Sequence, residues 1–148
     1  MDLVYVNFNS TPDNKILEGI INLHNSVFGD SDNLMDQMGS KPQLLIGIAL
    51  DGTKVIAYKI GYALDSDNFY SWLGGVDANY RNYGVASKLM DKQHQYIRRN
   101  GYKVVQTKTQ NKWRSMLILN IKSGFDVIGT YNDDKGETII ILEKKLLS

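Results

Sequence analysis

Between residues 76 and 86 the chain reads Val76-Asp77-Ala78-Asn79-Tyr80-Arg81-Asn82-Tyr83-Gly84-Val85-Ala86, and Arg81, Gly84 and Ala86 have the types and spacing to hold a phosphate. An apolar, strand-like run (69–76) ends there and a run with helical periodicity (84–99) begins. The first N–H groups of a helix lack partners inside it and point the same way. The helix dipole adds positive potential at that point, so a phosphate or pyrophosphate is the natural occupant. Gly84 and Ala86 lack the bulk that would keep a ligand off the backbone. Arg81 adds a permanent charge on a forked donor suited to phosphate. A strand, a tight turn and a helix whose small residues only permit close packing would carry the same letters.

The elements that must position this loop follow from periodicity. Residues 3–8 alternate as a first strand, and Asp13, after Thr11-Pro12, is placed to cap a helix over 14–28 with apolar residues at Ile16, Leu17, Ile20, Leu23, Val27 and Phe28. A short second helix fits 33–38. Strands fit 43–50 and 54–64 around Asp51-Gly52, a dipeptide suited to a hairpin turn. The turn at 65–68 leads into the strand ending at Val76. After the helix of 84–99, Asn100-Gly101 is a stop signal. A strand over 103–108, a helix over 112–123 and strands over 126–131 and 137–144 complete the chain. The order predicts a mixed α/β (α+β) architecture, a central sheet of about seven strands, antiparallel at first, with helices on both faces.

Composition narrows the classes. At 148 residues one domain over 1–148 is expected, able to bury about two thirds of its unfolded surface. Seventeen Lys and Arg against sixteen Asp and Glu give a net charge of +1, which argues against a general nucleic-acid binder. With no cysteine, disulfides, thiolate metal sites and a Cys nucleophile are excluded. His24 and His94 lie far apart without a carboxylate motif, so no metal site is expected. No apolar run approaches the roughly 18 residues that span a bilayer. The start Met1-Asp2-Leu3-Val4-Tyr5 has no basic region before an apolar core, so a cytoplasmic protein without membrane attachment is expected. The apolar strand from Thr138 to Leu142 suits either a central place in the sheet or pairing with a second copy in a homodimer.

The Arg81-x-x-Gly84-x-Ala86 loop resembles the acetyl-CoA pyrophosphate loop of the GNAT family of N-acetyltransferases, written (Arg/Gln)-x-x-Gly-x-(Gly/Ala). A second signature, often Asn-x-x-Ala-x-x-Leu-Tyr-x-Lys-x-Gly-Phe, is matched in its tail by Met116, Leu119, Lys122, Gly124 and Phe125. Two positions depart from it. Trp113 stands where Asn is expected, with Asn111 two residues earlier, and Asn120 stands where Tyr is usual. The order of elements is also the family's, so the resemblance covers nearly the whole chain.

The resemblance implies a sheet splayed between its fourth and fifth strands, with the pantetheine arm of acetyl-CoA inserted there. Backbone groups of Gly74, Gly75, Val76 and Asp77 would bond its amides. Arg81, Asn82, Tyr83, Gly84, Val85 and Ala86 would hold the pyrophosphate, Ser87 would add a hydroxyl or N–H, and Asn111 and Asn120 would complete the cofactor site. A primary amine of a small molecule or peptide would then attack the thioester directly. Asn120 cannot donate a proton to the departing thiolate as the usual Tyr does. Three readings stay open. Asn120 bonds the thioester or pantetheine while water protonates the thiol, a tolerable leaving group; Tyr80, Tyr83 or Tyr131 supplies the proton; or the domain binds acyl-CoA as a non-catalytic regulatory module. As a buried polar group on the apolar side of its helix, Asn120 also has a purely structural reading.

Asp77 is the best-placed general base by sequence, with turn capping as its structural alternative. His24 reads as a satisfied core residue or as part of an acceptor pocket, and His94 as a packed or solvent-facing residue. Tyr70, Trp72, Tyr80 and Trp113 read as sheet packing or as an aromatic wall for the acceptor. Asp30, Asp32 and Asp36 read as a solvated loop or as a lure for a cationic amine. A nucleotide module using the same loop is the remaining alternative, although no Gly-x-x-x-x-Gly-Lys-(Ser/Thr) occurs.

Overall fold

The computed structural model describes residues 2–29 and 33–146. In chain order the elements are strand β1 (Leu3–Phe8), helices α1 (Asn14–Phe28) and α2 (Leu34–Gly39), strands β2 (Leu45–Asp51), β3 (Lys54–Ala63) and β4 (Asn68–Val76), helix α3 (Val85–Arg99), strand β5 (Val104–Gln110), helix α4 (Arg114–Lys122), and strands β6 (Asp126–Asn132) and β7 (Thr138–Lys145). This is the expected order, with one addition. A single 3-10 turn, Ala78–Tyr80, forms between β4 and α3, because the Asp77 carboxylate accepts from the Asn79 N–H at 2.9 Å. Asp13 caps α1 by accepting from the Ile16 N–H at 2.9 Å.

The seven strands lie in the order β1-β2-β3-β4-β5-β7-β6. All pairs are antiparallel except β4 and β5, which are parallel and joined through α3. The strand carrying Thr138–Leu142 is internal, flanked by β5 and β6, so its apolar residues serve the sheet on both sides. Helices α1 and α2 cover one face, packing Leu17, Ile20, Leu23, Leu34 and Met38 on Ile46, Ile48, Tyr58 and Ile60. Helix α3 covers the other, with Val85 and Leu89 on Ala49, Ile56 and Ala57, and Met90 and Ile97 on Phe69, Val105 and Leu142. Leu117 and Leu119 of α4 pack against that second core. Because β2 and β3 are covered on both faces, they read as nearly unbroken apolar runs. Among the described residues no helix is long and apolar enough to cross a membrane.

His94 of α3 lies in this second core, 7% exposed, its ring 5.6 Å from that of Phe125. Lys144 donates to its Nδ1 at 3.2 Å, while its buried Nε2 has no partner. Burial first, and then the charges of Lys144 and Lys59, push its pKa down to about 3 from the ordinary 6.5. Folding thus favours the neutral imidazole. Its stabilising effect is complete above pH 6.5 and is lost as pH falls towards 3. Near pH 5 the loss is about 2 kcal/mol from this residue alone. Chemical denaturation of wild type and His94→Gln across that range should give converging stabilities as pH falls. A wild-type curve with the same pH slope as the variant would remove His94 as the cause.

Candidate functional site

The site begins where β4 and β5 stop pairing. The two strands run side by side only from Asn68↔Val104 to Ser71↔Thr107, yet β4 continues to Val76 and β5 to Gln110. On their outer edges both strands stay paired, β5 with β7 as far as Gln110↔Ile139 and β4 with β3 as far as Ala57↔Val76, so the two halves of the sheet diverge from the vertex. The cause is local. The β3–β4 register passes from Gly61↔Ser71 to Ile60↔Leu73, which leaves Trp72 as an extra residue immediately after the last β4–β5 pair. Such a bulge bends its strand and increases its twist. The Thr107 hydroxyl donates to the Ser71 carbonyl at 2.9 Å, a buried bond that closes the vertex of the fork.

The fork opens into a cleft of about 820 Å³. One wall is the free edge of β4 from Trp72 to Val76, the other the end of β5. Gly75 is tightly placed, since a Cβ there would stand 3.0 Å from Cε1 and 3.2 Å from the hydroxyl of Tyr58, whose ring would have to shift to admit it. Phe28 of α1 and Trp113 before α4 meet edge to face, ring centres 5.4 Å apart, and both line the cleft. Met116, Leu119 and Asn120 of α4 form another side, with Asn120 only 3% exposed.

At the far end the cleft meets the start of α3. Asn82 (φ 69°) and Gly84 (φ 75°) both take the left-handed conformation, and Gly84 is the N-cap without any side-chain bond. The Val85, Ala86 and Ser87 N–H groups, the first of the helix, therefore have no intrahelical acceptor, and all three residues line the cleft. Arg81 donates through Nε to the Val76 carbonyl at 3.3 Å, tying the loop to the end of β4. Lys59, Arg81, Lys108, Lys112 and Arg114 all line the cleft, whereas among the described residues no Asp or Glu does, Glu137 meeting only Lys112, at 3.6 Å. The walls thus carry a concentrated positive potential in a chain of net charge +1. Burial pulls the Lys59 ammonium down to a pKa of about 8.

Of the residues singled out in the sequence, Val76, Arg81, Asn82, Gly84, Val85, Ala86, Ser87 and Asn120 are brought together on this cleft. Tyr83 is not; it is 65% exposed and outside the lining. Asn111 sits in an exposed turn, also outside it. Asp77 faces a separate, shallow pocket beside α1, pairs with Lys54 at 3.5 Å and caps the 3-10 turn, so its structural reading is the one the geometry matches. His24 is bonded through Nδ1 to the Tyr58 hydroxyl and packs on Phe28, away from the lining. Among the tyrosines, Tyr80 lines the cleft but its hydroxyl bonds the Asp51 carboxylate, which raises its pKa. Tyr131 also lines it, its hydroxyl accepting from Lys108 Nζ at 3.2 Å. Asp36 is exposed on α2; Asp30 and Asp32 lie outside the described residues. Sequence reasoning missed Lys59, Thr107, Lys108, Lys112 and Arg114. A lysine inside the apolar run Val55-Ile56-Ala57-Tyr58-Lys59-Ile60 was the one visible signal.

No family model matches the sequence and no curated protein matches it. Solved structures do, in fold. A GNAT family acetyltransferase from Elizabethkingia anophelis, with acetyl-CoA bound, has a TM-score of 0.75 at 16% identity, covering 97% of this chain and 98% of its own. The ribosomal-protein-S18-alanine N-acetyltransferase from Escherichia coli gives 0.78 at 15% identity over 97% and 96% of the two chains. The aminoglycoside 6'-N-acetyltransferase from Enterococcus faecium gives 0.81 at 11% identity over 98% of each. The fold of this chain is the GNAT fold.

The vertex bond can be tested alone. Thr107→Val keeps the shape and leaves the buried Ser71 carbonyl without that donor, at a cost of about 1–3 kcal/mol. Thermal denaturation should show the loss, and amide exchange should quicken at 71–73 before the rest of β4. Unchanged stability and exchange would mean that the fork is held by the bulge alone.

Proposed function

We propose that this chain is a GNAT N-acetyltransferase that uses acetyl-CoA as acyl donor and a primary amine of a small molecule or peptide as acceptor. The observation that carries the proposal is the continuity of one cleft. It runs from the fork between β4 and β5 to the uncapped start of α3, with five cations and, among the described residues, no carboxylate on its walls. An elongated polyanion whose other end is an uncharged arm fits that distribution, and the fold neighbour solved with acetyl-CoA supports the choice.

The residues divide the work by place. The N–H groups of Val85, Ala86 and Ser87, with Arg81, would hold the pyrophosphate, because unpaired donors and the helix dipole act on the same atoms. The free edge of β4 would take the amides of the pantetheine arm as a neighbouring strand would. When bound, acetyl-CoA supplies a thioester carbonyl open to direct attack by an amine. Asn120, buried on the cleft, would donate an amide N–H to an acceptor oxygen or accept from an amide, but not act as an acid. Tyr131 is the cleft tyrosine whose hydroxyl is held by a lysine rather than by a carboxylate, which makes it the proton donor of choice for the leaving thiolate. Among the described residues no carboxylate or imidazole lines the cleft, and the amine's proton would leave to water. That same composition favours a second reading, a non-catalytic acyl-CoA-binding domain, and release of free CoA separates the two.

Calorimetric titration with acetyl-CoA, with ATP and NAD as controls, tests the donor assignment. Wild type should bind acetyl-CoA selectively, and Gly84→Glu should weaken it at least a hundredfold, about 2.7 kcal/mol. The fold should survive, since a Cβ at Gly84 meets no atom within 4 Å and the cost is backbone strain of about 1–3 kcal/mol. Binding retained in Gly84→Glu, or absent in wild type, would overturn the assignment.

A further inference from the structure

On the α1–α2 face of the sheet, at the lip of the cleft, Tyr62, Tyr70 and Trp72 form a continuous aromatic group. Tyr62 stands 5.5 Å from Tyr70 and 5.8 Å from Trp72 between ring centres, at 63° and 77°. The ammonium of Lys41 rests over two of these rings, 4.8 Å from the centre of Tyr62 and 5.0 Å from that of Trp72. Among the described residues no carboxylate lies within ion-pairing distance of Lys41. Its charge is therefore met there by π faces alone, and an ammonium within about 6 Å of such a face is attracted by the ring quadrupole. Trp72 belongs both to this group and to the cleft lining, and it is the bulged residue that opens the fork.

The backbone beneath Lys41 is held by its neighbours, whereas its side chain carries four rotatable bonds. Pro42 restricts Lys41 to extended conformations. The Pro42 carbonyl accepts from the Ala63 N–H at 3.1 Å, which pins the loop to the end of β3. Gln43 follows in a left-handed conformation, φ 49°. A swing of the lysine side chain about its own bonds empties the space over the two rings without moving the loop. An ammonium arriving on a ligand replaces like with like, so the exchange loses only the cation–π contacts of Lys41, about fivefold to tenfold in affinity.

We propose that Tyr62 and Trp72 form an ammonium subsite, which Lys41 fills until an acceptor carrying an alkylammonium displaces it. The acceptor class that follows is an amine with two nitrogens, one held as a cation over the rings and the other presented, uncharged, at the fork. This assignment of acceptor rests on the acetyltransfer reading; the cation site itself does not. It also supplies a means of recognising a cationic amine in a cleft on which no described carboxylate lies.

The test uses the whole chain with Trp113→Phe, so that Trp72 is the remaining tryptophan and reports by fluorescence. Tetramethylammonium, which cannot be acetylated, should quench Trp72 weakly while Lys41 is present and bind about tenfold more tightly after Lys41→Ala. Separately, in the native-tryptophan chain with acetyl-CoA, kcat/KM for putrescine should rise several-fold in Lys41→Ala while that for butylamine stays level. Tyr62→Leu, made on the Lys41→Ala background, should cancel both gains. Tetramethylammonium affinity unchanged by Lys41→Ala would overturn the subsite. Equal gains for putrescine and butylamine would overturn its assignment to the acceptor. Failure of acetyl-CoA to bind, with the fluorescence response intact, would leave the ammonium site standing and remove the transfer reading instead.

Discussion

Everything in the candidate site depends on one failure of pairing. Parallel strands held in register lie about 4.8 Å apart and leave no space between them. Here the register between β4 and β5 ends at Ser71 and Thr107, where the extra residue Trp72 bends β4, while β3 and β7 keep each strand paired on its outer edge. The cleft that results lies at the carboxyl ends of two parallel strands, the position where open sheets place their ligands. Because α3 is the crossover between those same strands, its free N–H groups follow within a few residues of the free edge of β4. Two kinds of unsatisfied backbone, a strand edge and a helix start, therefore face one space. Neither would be tolerated without something polar to meet it.

The electrostatics are arranged around that space rather than over the molecule as a whole. A nearly balanced composition hides five basic side chains on one cleft and, among the described residues, no acidic one. Asp77 and Asp51 are engaged elsewhere, with Lys54 and Tyr80, whereas Glu137 pairs with the cleft cation Lys112 at 3.6 Å. The separation matters because low-dielectric walls concentrate the field of like charges. It also has a cost, visible in Lys59, whose burial depresses its ammonium to a pKa of about 8. A polyanion in the cleft would offset that cost, which is why the same residues that disfavour an empty site favour an occupied one.

The order of elements and the phosphate loop were legible because each leaves a local mark. Asp13 caps, Asp51-Gly52 turns, and Arg81, Gly84 and Ala86 sit at a strand-to-helix junction. What stayed hidden depends on contacts between distant segments. Asp77 reads as an acid beside the loop, but which way it faces was decided by the 3-10 turn and by Lys54, 23 residues earlier in the sequence. Tyr83 lies inside the motif, yet the alternation of left-handed residues at 82 and 84 turns it outwards to solvent. Thr107, Lys108, Lys112 and Arg114 come to the cleft only because β5 outruns its pairing with β4, and a pairing length cannot be read from either strand alone.

One side of the cleft is built of interlocking rings and the lip beside it of rings under a single lysine, and the difference has physical consequences. A run of aromatic contacts leads from Trp113 through Phe28 and His24 to Tyr58, whose ring in turn occupies the place a side chain on Gly75 would need. Helix α1, strands β3 and β4 and the start of α4 are thus locked to one another by interlocking rings, and close-packed interiors do not deform continuously. The lip formed by Tyr62, Tyr70 and Trp72 is covered instead by one long, flexible lysine on a pinned loop. Donor chemistry common to a fold requires fixed geometry, and acceptor choice requires a surface that can change without disturbing it. On the proposed reading the first falls to backbone and packed rings, and the second to a side chain whose removal would leave the sheet intact.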